Sequence, residues 1–325
     1  MKCYYIKSVN GKTVFESRQA PMPQPKRGEI LVRVRAASLN RGEILASISL
    51  HSADVPHPAG ADCAGEVHAI GEGVTAFRPG ERVLGRARGS FAEFVAMSAD
   101  QAALVPERLT WEQAAAVPIV SVTAYEILCS YGKLKAGETL LVAGAASGVG
   151  VMCVQAGKYI GARVIGTSRS AEKLQKMKSI GLDVGIEANG GGFADKVLEA
   201  TGGKGVNLAA NLIGASVFPD CLRSLANQGR LAICGYVDDK FTAEVDLQAV
   251  HTKRLQIYGV SNAMFSAAGR AEAMRNFVRD LLPGFAEGRI TPLVDRVFPF
   301  DELPAAKTYV ETNAQLGKVV VRMPS

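Results

Sequence analysis

The chain has 325 residues, of which 48% are hydrophobic and 21% charged, and its formal net charge is +6. The length favours two domains and the composition is that of a globular protein, which excludes extended disorder. No apolar run reaches the roughly 20 residues of a membrane span, the N-terminus lacks the apolar core of a signal peptide, and the basic residues are dispersed. We therefore expect a cytoplasmic protein without a membrane or nucleic-acid partner.

Residues 1–118 are predicted to form a β-rich domain. Residues 28–36 alternate apolar with charged side chains, which is the period of a half-buried strand. Further strands are predicted, each bounded by glycine or proline, at residues 65–70, 81–84 and 90–97. A helix is predicted to begin at Trp111, Pro118 marks the crossing into the second domain, and residues 122–128 continue as a helix.

Residues 119–262 are predicted to alternate strand and helix, which indicates a parallel, doubly wound sheet with helices on both faces. The ligand crevice of such a sheet lies outside the carboxyl ends of its strands. Residues 263–325 are predicted to return to the first domain, with a helix over 271–286 interrupted at Pro283 and a final strand over 317–323. The predicted elements of the second domain are strands 139–143, 163–167, 206–212, 230–235 and 255–260, and helices 149–160, 171–180, 193–201 and 217–227.

Residues 139–150, TLLVAGAASGVG, predict a buried strand, a tight turn of small residues and the start of a helix. The N-terminus of such a helix offers unpaired N–H groups and a partial positive charge to a pyrophosphate. The strict G-x-G-x-x-G fingerprint is not met, since its positions hold Ala145, Ser147 and Gly150. An ordinary tight turn is therefore the alternative. The predicted cofactor contacts in this turn are Gly144, Ala146, Ser147, Gly148 and Val149.

The end of the second strand of this sheet bears on the choice of cofactor. An NAD site places an acidic residue there for the ribose 2′-hydroxyl, whereas an NADP site places basic and hydroxyl groups for the 2′-phosphate. This chain offers Ser168, Arg169 and Lys173, and its first acid, Glu172, falls inside the next helix. The pattern favours NADP, the alternative being that these basic residues are a solvated helix start.

The pattern of histidines and cysteines argues against a metal site. The four histidines show no paired spacing, and the six cysteines include no Cys-x-x-Cys. We predict buried, reduced thiols and no metal ligands. Ser147 is not a nucleophile elbow, because the flanking positions that require glycine hold Ala145 and Val149.

Motifs spread along nearly the whole chain resemble those of the medium-chain dehydrogenase/reductase superfamily, in its zinc-free quinone oxidoreductase (zeta-crystallin-like) branch. No single motif decides this, but their order and spacing do. The resemblance implies an α/β protein with a Rossmann domain and a β-rich, GroES-like, partly closed barrel. The segments that carry it are RAASLN (35–40), GADCAGEV (60–67), FRPGERVLG (77–85), SFAEFV (90–95), residues 118–124, AASGVG (145–150), GRLAICG (229–235) and GKVVV (317–321).

The zinc-dependent relatives place a cysteine ligand in Cys-x-x-Asp and a histidine ligand in Gly-His-Glu. The matching stretches here are Asn40-Arg-Gly-Glu43 and Gly60-Ala-Asp62, so Asn40 and Ala61 stand where those ligands would be. The four-cysteine zinc lobe of these relatives is missing too. The resemblance therefore implies hydride chemistry without zinc.

The resemblance also implies site residues. Asn40 and Thr123 would line the nicotinamide and substrate pocket, in a cleft between the two domains. Many relatives have a tyrosine near the 2′-phosphate where this chain has Ala188, and an aromatic residue shortly after the asparagine is replaced around Leu45. The residues implied to run along the cofactor are Leu212, Gly235, Tyr236 and Ser261.

The expected activity is NADPH-dependent hydride transfer to a quinone or an α,β-unsaturated carbonyl compound. A homodimer is expected through the apolar stretch 253–260, at the edge of the parallel sheet. Two alternatives stay open. One is an enoyl or alkenal reductase without quinone activity, and the other is a nucleotide-binding protein with a structural or RNA-binding role and no turnover.

Overall fold

The computed structural model describes residues 1–10, 12–44, 55–261 and 265–324. The strands of these residues are β1 (Lys2–Val9), β2 (Lys12–Gln19), β3 (Glu29–Ser38), β4 (His57–Pro58), β5 (Asp62–Ile70), β6 (Arg82–Arg86), β7 (Phe94–Ser98), β8 (Ala102–Leu104), β9 (Thr139–Ala143), β10 (Arg163–Ser168), β11 (Val184–Glu187), β12 (Val206–Asn211), β13 (Leu225–Ile233), β14 (Gln256–Gly259), β15 (Val294–Pro299) and β16 (Lys318–Arg322).

The α-helices alternate with the strands mainly in the middle of the chain. A π-helical turn, Glu126–Ser130, continues the third of them. The helices are α1 (Arg41–Ile44), α2 (Trp111–Ala115), α3 (Pro118–Tyr125), α4 (Gly148–Ile160), α5 (Ala171–Met177), α6 (Ala194–Ala200), α7 (Phe218–Arg223), α8 (Leu247–Thr252), α9 (Ala267–Asp280), α10 (Leu282–Ala286) and α11 (Leu303–Glu311).

The chain divides into two compact units. Unit 1 comprises Met1–Val120, Phe265–Ala286 and Pro292–Ser325, and unit 2 comprises Ser121–Met264 and Glu287–Thr291. The sequence instead predicts 118/119 and 262/263 as boundaries, of which the second lies outside the described residues.

The short segment Glu287–Thr291 belongs to unit 2, although the sequence assigns it to the first domain. The side chain of Gln155, on α4, explains this difference. Its Nε2 donates to the carbonyl of Thr291 at 2.9 Å, and its Oε1 accepts from the Thr291 N–H at 2.8 Å.

Unit 2 contains a six-stranded sheet in the order β11-β10-β9-β12-β13-β14, in which every neighbouring pair is parallel. The chain moves outward from β9 in one direction and then returns to β12 to build the other half. This reversal defines a doubly wound Rossmann-type sheet with its switch point between β9 and β12. The predicted fold class is confirmed.

Several predicted bounds in unit 2 need correction. The predicted helix 217–227 ends at Arg223, because strand β13 begins at Leu225, which pairs with Val206 of β12. Strand β13 is therefore longer than the predicted 230–235. Strand β11 and helix α8 are not among the predicted elements.

Unit 1 is built from two sheets. Strands β2-β1-β4 form an antiparallel three-stranded sheet, and β15-β16-β3-β5-β6-β8 form a second sheet in which β7 also pairs with β3. The two ends of the second sheet do not pair among the described residues, so no closed barrel forms. Strand β3 buries Ile30, Val32 and Val34, as its alternation predicts.

The predicted helix over 271–286 consists of two helices, α9 and α10. The break falls at Leu281, just before the Leu282-Pro283 pair that opens α10. Pro283 lacks the backbone N–H that would continue α9 and restricts the residue before it.

Candidate active site and cofactor site

Asn40 lies two residues beyond strand β3. Strand β16 runs antiparallel to β3 and places Val320 opposite Ser38, so the same register brings Lys318 to Asn40. The Lys318 ammonium donates to Asn40 Oδ1 at 2.6 Å and to the carbonyl of Leu39 at 2.8 Å. Lys318 is 6% exposed. A buried ammonium therefore holds the oxygen side of the predicted active-site amide.

The nitrogen side of the same amide meets two carboxylates. Asn40 Nδ2 donates to Glu43 Oε1 at 2.7 Å and to Asp62 Oδ1 at 3.0 Å. Asp62 also accepts from Ser38 Oγ at 2.8 Å and is fully buried. Both amide hydrogens of Asn40 are thus engaged, and its orientation is set by groups on both sides. We call Asn40, Glu43, Asp62 and Lys318 the polar cluster.

Burial shifts each ionisable member of the polar cluster towards its neutral form. Burial raises the pKa of Glu43 to about 8, and the charge of Asp62 adds to this. Burial also raises the pKa of Asp62, against the charge of Lys318 and hydrogen bonds from Ser38 and Asn40. Burial lowers the pKa of Lys318, against the attraction of both carboxylates. One ammonium faces two carboxyl groups, so the cluster is neutral when one of them keeps a proton.

The sequence does not single out Glu43, Asp62 or Lys318 as site residues. Asp62 and Lys318 lie in segments that carry the family resemblance, next to Ala61 and Gly317, and Glu43 ends the stretch that matches Cys-x-x-Asp. The missing information is the register of β16 on β3, which joins residues that lie 278 positions apart. Nothing local in the sequence specifies that pairing.

The cofactor residues predicted in unit 2 follow the ends of four parallel strands. Gly144 follows β9, Ser168 ends β10, Leu212 follows β12 and Gly235 comes two residues after β13. The N–H of Leu212 donates to the carbonyl of Ala143 at 3.2 Å. Because carboxyl ends of parallel strands meet at one edge, these residues share the edge where a doubly wound sheet binds its ligand.

The turn between β9 and α4 is closed by Ser147. Its hydroxyl donates to the Gly144 carbonyl at 2.9 Å and accepts from the Gly150 N–H at 3.1 Å, which caps α4. Gly144 has φ +88°, a left-handed conformation that favours glycine. A Cβ atom on Gly150 would lie 2.4 Å from the Gly144 carbonyl oxygen and 2.5 Å from that of Ala145.

This turn leaves the first residues of α4, Gly148 and Val149, directly after the strand end, with Ala146 in the turn itself. Helix α4 has thirteen residues and a partial positive charge at its N-terminus. Strand, turn and helix therefore fit the pyrophosphate of a dinucleotide.

The residues predicted to select NADP lie at the start of α5. Ser170 caps the helix by accepting from the Lys173 N–H at 3.2 Å, and Arg169 is exposed. The Ala188 N–H donates to the Ser168 carbonyl at 3.0 Å, which places Ala188 beside the strand end. The next strand contributes an acid, Glu187, which pairs with Ser168 in the register.

The other predicted residues are placed as follows. Thr123 is buried on α3, Ser261 is exposed after β14, and the ring of Tyr236 lies 5.2 Å from that of Phe241. Asn40 belongs to unit 1 and Thr123 to unit 2. Leu45, where an aromatic residue is replaced, lies outside the described residues.

The described residues contain neither a metal-ligand cluster nor a helix that could span a membrane. No group of three or more His, Cys, Asp or Glu side chains in these ranges is arranged to hold a metal ion. Across the same ranges, no helix is both long and apolar enough to cross a membrane.

The doubly wound parallel sheet of unit 2, with its capped glycine turn, is typical of a dinucleotide-binding protein. Residues 26–107 match the family model of the alcohol dehydrogenase GroES-like domain, and residues 148–279 match that of zinc-binding dehydrogenases. The chain belongs to the medium-chain dehydrogenase/reductase superfamily, in its quinone oxidoreductase branch. The predicted resemblance is confirmed, and the protein is an NAD(P)-dependent oxidoreductase.

Individual relatives cover nearly the whole chain. Quinone oxidoreductase of Rattus norvegicus is 28% identical over 92% of this chain and 91% of its own. A mycobacterial protein solved in complex with NADPH is 30% identical, with a TM-score of 0.88 over 99% of this chain and 100% of its own. A solved NAD-dependent alcohol dehydrogenase is 27% identical, with a TM-score of 0.88 and complete coverage of both chains.

The described residues do not fit the zinc ion that one family name implies. The methyl side chain of Ala61 has no ligand atom, and the amide oxygen of Asn40 accepts from a lysine ammonium. A second cation beside this ammonium would be repelled by it. The strand-end turn of unit 2, by contrast, fits a nicotinamide dinucleotide.

Proposed function

We propose that this protein transfers hydride from NADPH to a quinone or an α,β-unsaturated carbonyl compound without zinc. The observation that carries the proposal is the Lys318 ammonium 2.6 Å from Asn40 Oδ1, at the position matching a zinc ligand of the metal-dependent relatives. A conjugated acceptor delocalises negative charge as hydride arrives, so it needs little activation. A simple alcohol must be ionised, which a bound metal ion achieves at neutral pH, and the described residues do not fit such an ion.

The dinucleotide supplies the hydride when bound. The chain's part is to bind it at Gly144–Val149, to orient the acceptor and to exclude water. Because both amide hydrogens of Asn40 bond to carboxyl groups, its role is to hold the polar cluster in place.

The proposal is tested by NADPH consumption with a quinone, with an enal, and with an alcohol plus NADP in the reverse direction. We expect turnover with at least one conjugated acceptor and negligible alcohol oxidation. Turnover with the enal alone would identify an alkenal reductase. Brisk alcohol oxidation alone would contradict the proposal, and no turnover with any of the three would favour the nucleotide-binding alternative.

Replacing both Arg169 and Lys173 with alanine is expected to weaken NADPH binding and leave NADH binding nearly unchanged. Only the 2′-phosphate distinguishes these cofactors, and each lost charged hydrogen bond costs about 1.5–3 kcal/mol. Isothermal titration calorimetry with NADPH and with NADH, on the wild type and on the double variant, measures the two affinities. Glu187→Gln is the matched control, since removing a carboxylate beside Ser168 should favour NADPH. Equal losses for NADPH and NADH would show that these two residues do not select the cofactor.

We propose that the protein is a homodimer paired through strand β14. This strand ends the sheet of unit 2 and pairs with β13 alone within the described ranges, and Ile257 on it is 38% exposed. An exposed edge strand invites pairing with another chain. Light scattering is expected to give twice the chain mass of 34.3 kDa, and Ile257→Lys is expected to shift it towards one chain. A monomeric wild type at micromolar concentration would rule the dimer out.

A further inference from the structure

One oxygen of the Glu43 carboxyl group has no hydrogen-bond partner among the described residues. Oε1 accepts from Asn40 Nδ2 at 2.7 Å, whereas Oε2 is buried and has no hydrogen-bond partner among the described residues. Buried carboxyl oxygens are almost always satisfied, because an unmade hydrogen bond at such an atom is costly. The arrangement therefore points to a partner that the described residues do not supply.

The charges around Glu43 decide what kind of partner this is. Asp62 on β5 carries a negative charge, and Lys318 on β16 and Arg86 on β6 carry positive charges. Burial and Asp62 outweigh the two cations and raise the pKa of Glu43 to about 8, so Glu43 holds a proton at neutral pH. Since Oε1 accepts a hydrogen bond from Asn40, the proton resides on Oε2. Oε2 is thus a hydrogen-bond donor that has no acceptor among the described residues.

Arg86 does not form an ion pair with the carboxyl group of Glu43. Its own pKa is lowered by burial and by the like charge of Arg270. The structure shows no ion pair between Arg86 and Glu43 within 4.0 Å. Arg86 therefore influences Glu43 at a distance and leaves Oε2 open.

The other ionisable members of the polar cluster are already committed. Asp62 Oδ1 accepts from Ser38 and Asn40, and its Oδ2 accepts from the Ile119 N–H at 3.3 Å. Lys318 donates to Asn40 and to the Leu39 carbonyl. Only Glu43 combines a proton with an oxygen that no described group engages.

We infer that Glu43 is the proton donor of the reduction, delivering from Oε2 the proton that completes the reduced acceptor. The inference rests on the proposed function. In an enone, hydride forms a C–H bond at the β-carbon, and the π electrons shift towards the carbonyl oxygen to give an enolate. The Oε2–H bond of Glu43 then breaks, its electron pair stays on the carboxylate, and the proton forms the new bond to the enolate. The acceptor gains two electrons from NADPH, and Glu43 regains its proton from water.

Asp62 and Lys318 act as positioning residues in this scheme. The negative charge of Asp62 raises the pKa of Glu43 and so favours its protonated form, whereas the positive charge of Lys318 lowers this pKa. After proton transfer, Lys318 and Arg86 stabilise the Glu43 carboxylate until it is protonated again.

The test compares Glu43→Gln, which keeps the shape but cannot donate a carboxyl proton, with Glu43→Asp and with Glu72→Gln, an exposed control. Wild-type kcat is expected to fall as pH rises through about 8, because the protonated form is active. Glu43→Gln is expected to lose this fall and about 10²–10⁴-fold in kcat, the range of general acid catalysis. Glu43→Asp should retain a pH-dependent rate, and Glu72→Gln should match wild type.

A second measurement does not depend on activity. The folded-state pKa of Glu43 lies above its ordinary value of 4.5, so the contribution of Glu43 to folding stability is largest at low pH and declines as pH rises from about 4.5 to about 8. The difference in unfolding free energy between wild type and Glu43→Gln is expected to follow this decline. If the wild type is active and Glu43→Gln shows the same dependence of kcat on pH, the inference is wrong but the proposed function stands. If the wild type reduces neither a quinone nor an enal, the proposed function is wrong. The difference in unfolding free energy between wild type and Glu43→Gln would then still show whether Glu43 is protonated.

Discussion

Lys318→Met is expected to destabilise the protein by about 3–5 kcal/mol, the range seen when a buried charge loses the opposite charge that compensates it. The substitution keeps the length and packing of the side chain but leaves Asp62 charged and uncompensated in a fully buried position. It also removes the donor to Asn40 Oδ1. The free energy of unfolding in urea measures the effect, and turnover is expected to fall with it.

The matched control is Lys176→Met on helix α5. Lys176 pairs with Glu172 at 2.6 Å, but both side chains are more than 60% exposed. Such a surface pair contributes about 0.3–0.5 kcal/mol. Similar losses for the two lysine variants would show that Lys318 does not balance buried charge.

Gly150→Ala is expected to reduce NADPH affinity by roughly 10–100-fold, which corresponds to an overpacking cost of about 1–3 kcal/mol. The new methyl group would meet two backbone oxygens, those of Gly144 and Ala145, and backbone cannot move aside as a flexible side chain does. The turn would open and the start of α4 would shift. Fluorescence titration with NADPH measures the loss.

Gly259→Ala serves as the control for this substitution. Gly259 ends strand β14 of the same sheet, and an added Cβ meets no atom within 4 Å. Its NADPH affinity should equal that of wild type. An unchanged affinity in Gly150→Ala would mean that the tight turn does not form the phosphate site.

The conformation of the turn between β9 and α4 is predictable from the sequence because its causes are local. A run of apolar residues buries β9, small residues allow the tight turn, and Ser147 caps the helix that follows. Gly150 at the close approach to Gly144 fits the same pattern. Each of these signals lies within twelve residues, where periodicity and turn chemistry are informative.

The polar cluster could not be predicted in the same way. Asn40 was identified from a family resemblance, but the ammonium that holds it comes from the last strand of the chain. The position of the Lys318 ammonium depends on the pairing of β16 with β3, which is a property of the whole sheet. The early start of β13 has a similar origin, since Leu225 becomes a strand residue by pairing with Val206.

The most direct test of metal-free hydride transfer is the rate of NADPH oxidation by chelator-treated protein with a conjugated acceptor, before and after zinc is added back. The acceptor is whichever quinone or enal the wild-type protein reduces. We predict that treated protein, with well under one zinc per chain, keeps its full rate and that added zinc does not increase it. Loss of turnover on chelation that is restored by stoichiometric zinc would contradict the account.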